Sequence, residues 1–147
     1  MQPIRWIVCF VFGLFLVAHT WSQDTAGEQK KLDGAWTPTT AELSGQPFPE
    51  ELLKKMKLIV SGENYTVHVG DKIDRGKVKL DTSKKPKTMD IIGTDGPNKG
   101  KTFLAIYELN GDTLRVCYDL GGKDRPTEFK TKKDTLVFLA TYQRAKQ

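Results

Sequence analysis

Apolar and polar positions alternate with a period of two along much of the chain. Tyr65, Val67 and Val69 alternate with Thr66 and His68, Val78 and Leu80 with Lys77 and Lys79, and Leu114, Val116 and Tyr118 with Thr113, Arg115 and Cys117. Successive side chains of a strand point to opposite faces, so each segment predicts a strand with one apolar face and one wet face. Arg115 and Cys117 fall on the wet face. Residues 58–60, 88–92, 102–109 and 136–142 are apolar on both parities, which predicts strands covered on both sides. With a first strand over 35–43, the chain carries about eight strands.

The links between these segments are short. Asn110-Gly111-Asp112 lies between two strand patterns and is a strong hairpin signal, and Ser61-Gly62-Glu63-Asn64 is a second. Residues 70–76, which begin and end in glycine, read as a turn. One helix interrupts the pattern. Residues 49–56, PEELLKKM, place proline first, two glutamates in the first turn and lysines in the last, which suits the helix dipole and predicts two turns of helix. No helices alternate with the strands, so parallel crossover units are not expected. The fold class expected is all-β, an antiparallel barrel or sandwich with a short helix after the first strand.

The N-terminus follows a different pattern. After Arg5, residues 6–18 form an apolar run of 13 residues. A membrane span needs ~20 residues and a secretory signal ~7–15, so a cleaved signal peptide over residues 1–22 is expected. Small residues permit cleavage after Thr20 or after Ser22. The mature protein is then exported, periplasmic or extracellular, without a stable membrane anchor. Residues 23–31 are polar and patternless and predict a flexible lead-in to one domain over 32–147. Removal of Cys9 with the signal leaves Cys117 as the sole thiol, so a core rather than a disulfide holds the domain together.

Charge excludes little. The whole chain has 23 basic and 18 acidic residues. Lys84, Lys85 and Lys87 form one cluster and Lys130, Lys132 and Lys133 another, but neither is interleaved with aromatics as a single-strand nucleic-acid platform is. Solvated loops are expected, and no nucleic-acid partner.

Candidate chemistry is sparse. GTDGPNKGKT, residues 93–102, ends like a phosphate loop, yet Asp95 occupies the position of the first glycine and a strand pattern follows where a helix is required. Turn residues between two strands are the reading. A metal site would rest on His68 alone in the mature chain, and Asp71 and Asp74 lack calcium-loop spacing, so neither metal nor cofactor is expected. Cys117 beside Arg115 is either a partly exposed thiol of lowered pKa or a packed, inert one. Asn64-Tyr65-Thr66 fits a glycosylation acceptor or simply a turn entering a strand. No catalytic residue is assigned.

Gly34 and Trp36 open the first strand and Arg144 ends the last. First and last strands are neighbours in a closed barrel, where the guanidinium could stack on the indole; the alternative is a core tryptophan and an unrelated surface arginine.

LDGAW followed by AELSGQPFPEE, the stretch KLDTSKKPKTMDIIGTDGPNKGKTFLAIYELNGDTLRVCYDLGGKDRPTEF, and a final strand ending in arginine resemble an uncharacterised lipocalin-like domain family abundant in planctomycete bacteria. The resemblance covers residues 32–144 and implies a lipocalin-like barrel, usually exported, of no settled activity. It also implies a structural role for Gly34, Trp36 and Arg144 at the closed end. Pro38 departs from the family pattern and suggests an edge or bulge. The loop starting at Asp119 also departs.

Two functions compete. One is non-catalytic binding of a small apolar or amphipathic molecule inside the barrel, with Tyr65, Val67, Val78, Tyr107, Leu114, Val116, Tyr118 and Phe138 as candidate lining residues. The other is an envelope or extracellular interaction module with a filled barrel, meeting an anionic polymer or a protein through its lysine-rich loops. An interior left open or filled discriminates between them.

Overall fold

The computed structural model describes residues 21–146. The expected signal segment lies outside the described residues, apart from Trp21 and Ser22. Nine antiparallel strands and two short helices follow one another: α1 (Trp21–Leu32), β1 (Gly34–Leu43), β2 (Gln46–Pro47), α2 (Glu50–Leu53), β3 (Met56–Ser61), β4 (Asn64–Val69), β5 (Lys72–Asp81), β6 (Lys87–Asp95), β7 (Thr102–Asn110), β8 (Thr113–Asp119) and β9 (Val137–Arg144). β1 and β3 to β9 pair in order, and β9 returns to β1 to close an eight-stranded barrel, with β2 an extra strand hydrogen-bonded to β1.

Turn chemistry sets the register. Gly62 and Gly111 adopt φ of 58° and 59° at the Ser61 to Asn64 and Asn110 to Thr113 hairpins, both as expected. Pro38 marks a shift in register between Pro38 and Thr40, so the expected irregularity is a bulge within the barrel seam. Residues 96–101 form the turn between β6 and β7, and the strand beginning at Thr102 rules out a phosphate loop.

Three expectations are corrected. Residues 23–31 are part of helix α1 and not a patternless lead-in; Glu28 and Leu32 are buried, and Glu28 Oε1 accepts a hydrogen bond from Tyr107 Oη at 3.3 Å and pairs with Lys87 Nζ at 2.8 Å. The second helix is a single turn, because Met56 is drawn into pairing with Val69 as the first residue of β3. The turn assigned to 70–76 is confined to Gly70 and Asp71, and Gly76 is a strand residue. A Cβ on Gly76 would lie 2.0 Å from the Ile92 carbonyl oxygen and 2.7 Å from the Tyr65 ring, so glycine there marks close packing.

The apolar parities converge inside the barrel. Val60, Tyr65, Val78, Leu80, Met89, Leu114, Val116 and Tyr142 belong to one buried cluster with Leu32 and Trp36. Ile106 and Cys117 point outward yet are buried at 1% and 0% exposure. The long segment of residues 120–136 runs over this outer face. It is fixed by Thr131, which hydrogen-bonds Glu42 and the Gly45 amide, and by Arg115, whose guanidinium sits 4.1 Å from the Phe129 ring centroid. Arg125 donates to the carbonyls of Ala105 at 2.7 Å and Met89 at 3.3 Å, and pairs with Asp90. Cys117 is therefore a packed thiol. Burial pushes its pKa up against the smaller opposing effects of a backbone hydrogen bond and Arg115.

Candidate functional site

The two barrel ends are built differently. At one end, α1 approaches the barrel and the Trp36 indole donates to the Leu32 carbonyl at 2.9 Å. Arg144 lies over the indole at 4.3 Å from its centroid. Its guanidinium also donates to the carbonyls of Lys31 and Asp33, both at 2.6 Å, and to Asp112 Oδ1 at 2.9 Å. Gly34, at φ 129°, passes beneath it, and a Cβ there would come within 3.1 Å of Arg144 Nη1. All five donors on Arg144 lie in the same planar fork, which is why one arginine joins the helix C-terminus, the first strand and the last hairpin. Of the two alternatives for Arg144 and Trp36, stacking is the one observed.

Above this floor lies an interior cavity of about 340 Å³. Seven of the eight expected lining residues border it: Tyr65, Val67, Val78, Leu114, Val116, Tyr118 and Phe138. Tyr107 is the exception. It is buried in the core at the closed end, with its hydroxyl on Glu28. Leu32 reaches the cavity from α1 below, and Met56, Leu58 and Val69 complete one wall. The barrel interior is thus partly filled and partly open.

Polar groups collect on one side. Asp74 and Lys72 continue the inward parity of Gly76, Val78 and Leu80 along β5, and Asn98 enters from the β6–β7 turn. Asp74 accepts hydrogen bonds from the Asn98 amide at 3.1 Å, from Asn98 Nδ2 at 3.1 Å and from Tyr65 Oη at 3.2 Å. Gly93 makes room for Asn98, since a Cβ there would stand 2.0 Å from the Asn98 carbonyl oxygen. Burial, then the Asp74 charge and hydrogen bond, hold the Tyr65 phenol protonated well above its ordinary range.

Tyr118 and Tyr142 also border the cavity. Burial raises both phenols, Tyr142 to about 12. For Tyr118 the neighbouring Tyr142 and Tyr65 phenols and the Asp74 carboxylate add to it. Neither hydroxyl has a hydrogen-bond partner among the described residues, whereas no fully inaccessible polar side-chain atom there lacks one. Both hydroxyls therefore face the cavity space. Phe48, Phe138, Tyr118 and Phe103 form a chain of rings with centroids 5.7, 5.3 and 5.6 Å apart, and Phe103, Tyr118 and Phe138 of it border the cavity.

Asp74, Asn98 and Tyr142 were missed as lining residues. Asp74 was assigned to a turn; its place two residues before Gly76 on the apolar parity was the available signal.

The remaining candidates lie elsewhere. His68 pairs across the sheet with Lys57 and Ile73, and Asn64 is exposed at the β3–β4 hairpin. Lys84 and Lys85 are exposed, but Lys87 is engaged by Glu28. No group of three or more potential metal ligands occurs among the described residues. No family model, curated protein or solved structure matches the chain.

Proposed function

We propose that this protein is an exported, non-catalytic binder of a small apolar or amphipathic molecule, held inside a lipocalin-like barrel. The observation that carries the reading is the cavity of about 340 Å³, whose wall is apolar except for Asp74, Lys72, Asn98 and three tyrosines. Ligand pockets generally run from roughly 300 to 1,000 Å³ and combine apolar walls with a few placed polar groups. At the small end of that range, a one- or two-ring compound fits better than a long acyl chain. Apolar burial would supply affinity and the phenols would set orientation.

Residues 21–147 contain every element of the described fold, so a protein beginning at Trp21 is the form to test. Titration with the neutral apolar dye N-phenyl-1-naphthylamine should show saturable binding near one dye per chain. Val116→Trp, which places an indole in the cavity, should abolish it while circular dichroism stays barrel-like; Val67→Trp provides a second blockade. Absence of saturable binding would contradict the reading and favour a surface function at the exposed Lys84 and Lys85.

A further inference from the structure

The polar side of the cavity contains a carboxylate and no cation paired with it. Among the described residues seven ion pairs form, and none involves Asp74. Its three hydrogen bonds come from neutral donors, Tyr65 and Asn98. Lys72 is one inward position nearer the end of the strand, exposed and unpaired with Asp74. A carboxylate set in an apolar wall without a counter-charge attracts cations and repels anions more strongly than one in water.

The surfaces around it are those an ammonium prefers. Tyr65, Phe103, Tyr118, Phe138 and Tyr142 border the same cavity. The face of an aromatic ring attracts a cation, and phenol oxygens accept its hydrogen bonds. The hydroxyls of Tyr118 and Tyr142 have no hydrogen-bond partner to give up among the described residues. Leu114, Val116 and Val78 offer an apolar seat for the rest of the molecule.

Resting on the carrier reading above, we infer that the ligand is a small amphipathic amine, its ammonium group on Asp74 among the tyrosines and its apolar body on the valine and leucine wall. The acidic members of the amphipathic class, fatty-acid-like compounds included, are disfavoured by the same carboxylate.

Three probes matched in size and differing in charge test this by calorimetry at neutral pH: 2-(1-naphthyl)ethylamine, 2-(1-naphthyl)ethanol and 1-naphthylacetic acid. The amine should bind roughly tenfold or more tighter than the alcohol, as expected for a hydrogen bond to a charged group, and the acid weakest. Asp74→Asn should bring the amine to within about threefold of the alcohol and leave the alcohol unchanged. An alcohol or acid that equals or exceeds the amine would overturn the inference while leaving the carrier reading intact. So would equal weakening of amine and alcohol in Asp74→Asn. If none of the three binds, both readings fall. The ranking on the unmodified protein decides the matter even if the variant does not fold.

Discussion

The closed end and the cavity use similar residue types to opposite effect. At the closed end the central polar groups are matched: Arg144 by two carbonyls, a carboxylate and an indole face, Trp36 by a carbonyl, Glu28 by a lysine and a phenol. In the cavity, two tyrosine hydroxyls lack partners and Asp74 lacks a paired cation among the described residues. Satisfied networks stabilise a fold, whereas hydroxyls without partners and a carboxylate without a counter-charge, facing a space, are available to something that enters it. On the proposed reading, stability and recognition fall to different ends of one barrel.

If that division is right, changes at the closed end should cost stability without altering ligand preference. Arg144→Ala removes three charge-assisted hydrogen bonds and the cation–π contact and should cost about 2–3 kcal/mol, lowering Tm by on the order of 10 °C. Naphthyl-probe ranking below the new Tm should be unchanged. Thermal melts and calorimetry check both parts, and a changed ranking would blur the two ends.

Alkaline pH acts on the cavity side. Tyr142 is held protonated to about 12 in the folded protein against an ordinary value of 10, and Tyr65 and Tyr118 are shifted the same way. Below pH 10 both folded and unfolded chains keep these protons, so stability should be flat. As pH rises from 10 towards 12, the unfolded chain loses protons that the folded one retains, and stability should fall. Denaturant unfolding across this interval, with tyrosinate absorbance followed in parallel, should show ionisation of these tyrosines accompanying unfolding.

The smallest effect should come from Tyr142→Phe. Its hydroxyl has no hydrogen-bond partner among the described residues, so stability should change by no more than about 0.5 kcal/mol, by chemical denaturation. A loss above 1–2 kcal/mol would mean that the hydroxyl belongs to the satisfied network after all.

The barrel was legible because period-2 alternation survives wherever one strand face is wet. Seven of the interior residues followed from parity alone. What failed to show depends on partners distant in sequence. Helix α1 has a polar surface, and its contacts with distant residues, through Glu28, Leu32, Gln29 and the Lys31 carbonyl, distinguish it from a loose leader. Cys117 occupies the outward parity, but residues 120–136 fold back over it. Gly76 resembles turn punctuation because what excludes a side chain there, the Ile92 carbonyl and the ring of Tyr65, belongs to neighbouring strands. That misreading also hid Asp74.

The most direct test of the division is a backbone-amide NMR titration of residues 21–147 with 2-(1-naphthyl)ethylamine. Saturating shifts should concentrate on β4, β5, β8 and the β6–β7 turn, around Tyr65, Asp74, Asn98 and Tyr118, with Glu28 and Arg144 unmoved. Shifts confined to the exposed lysine loops, or none at all, would contradict the account.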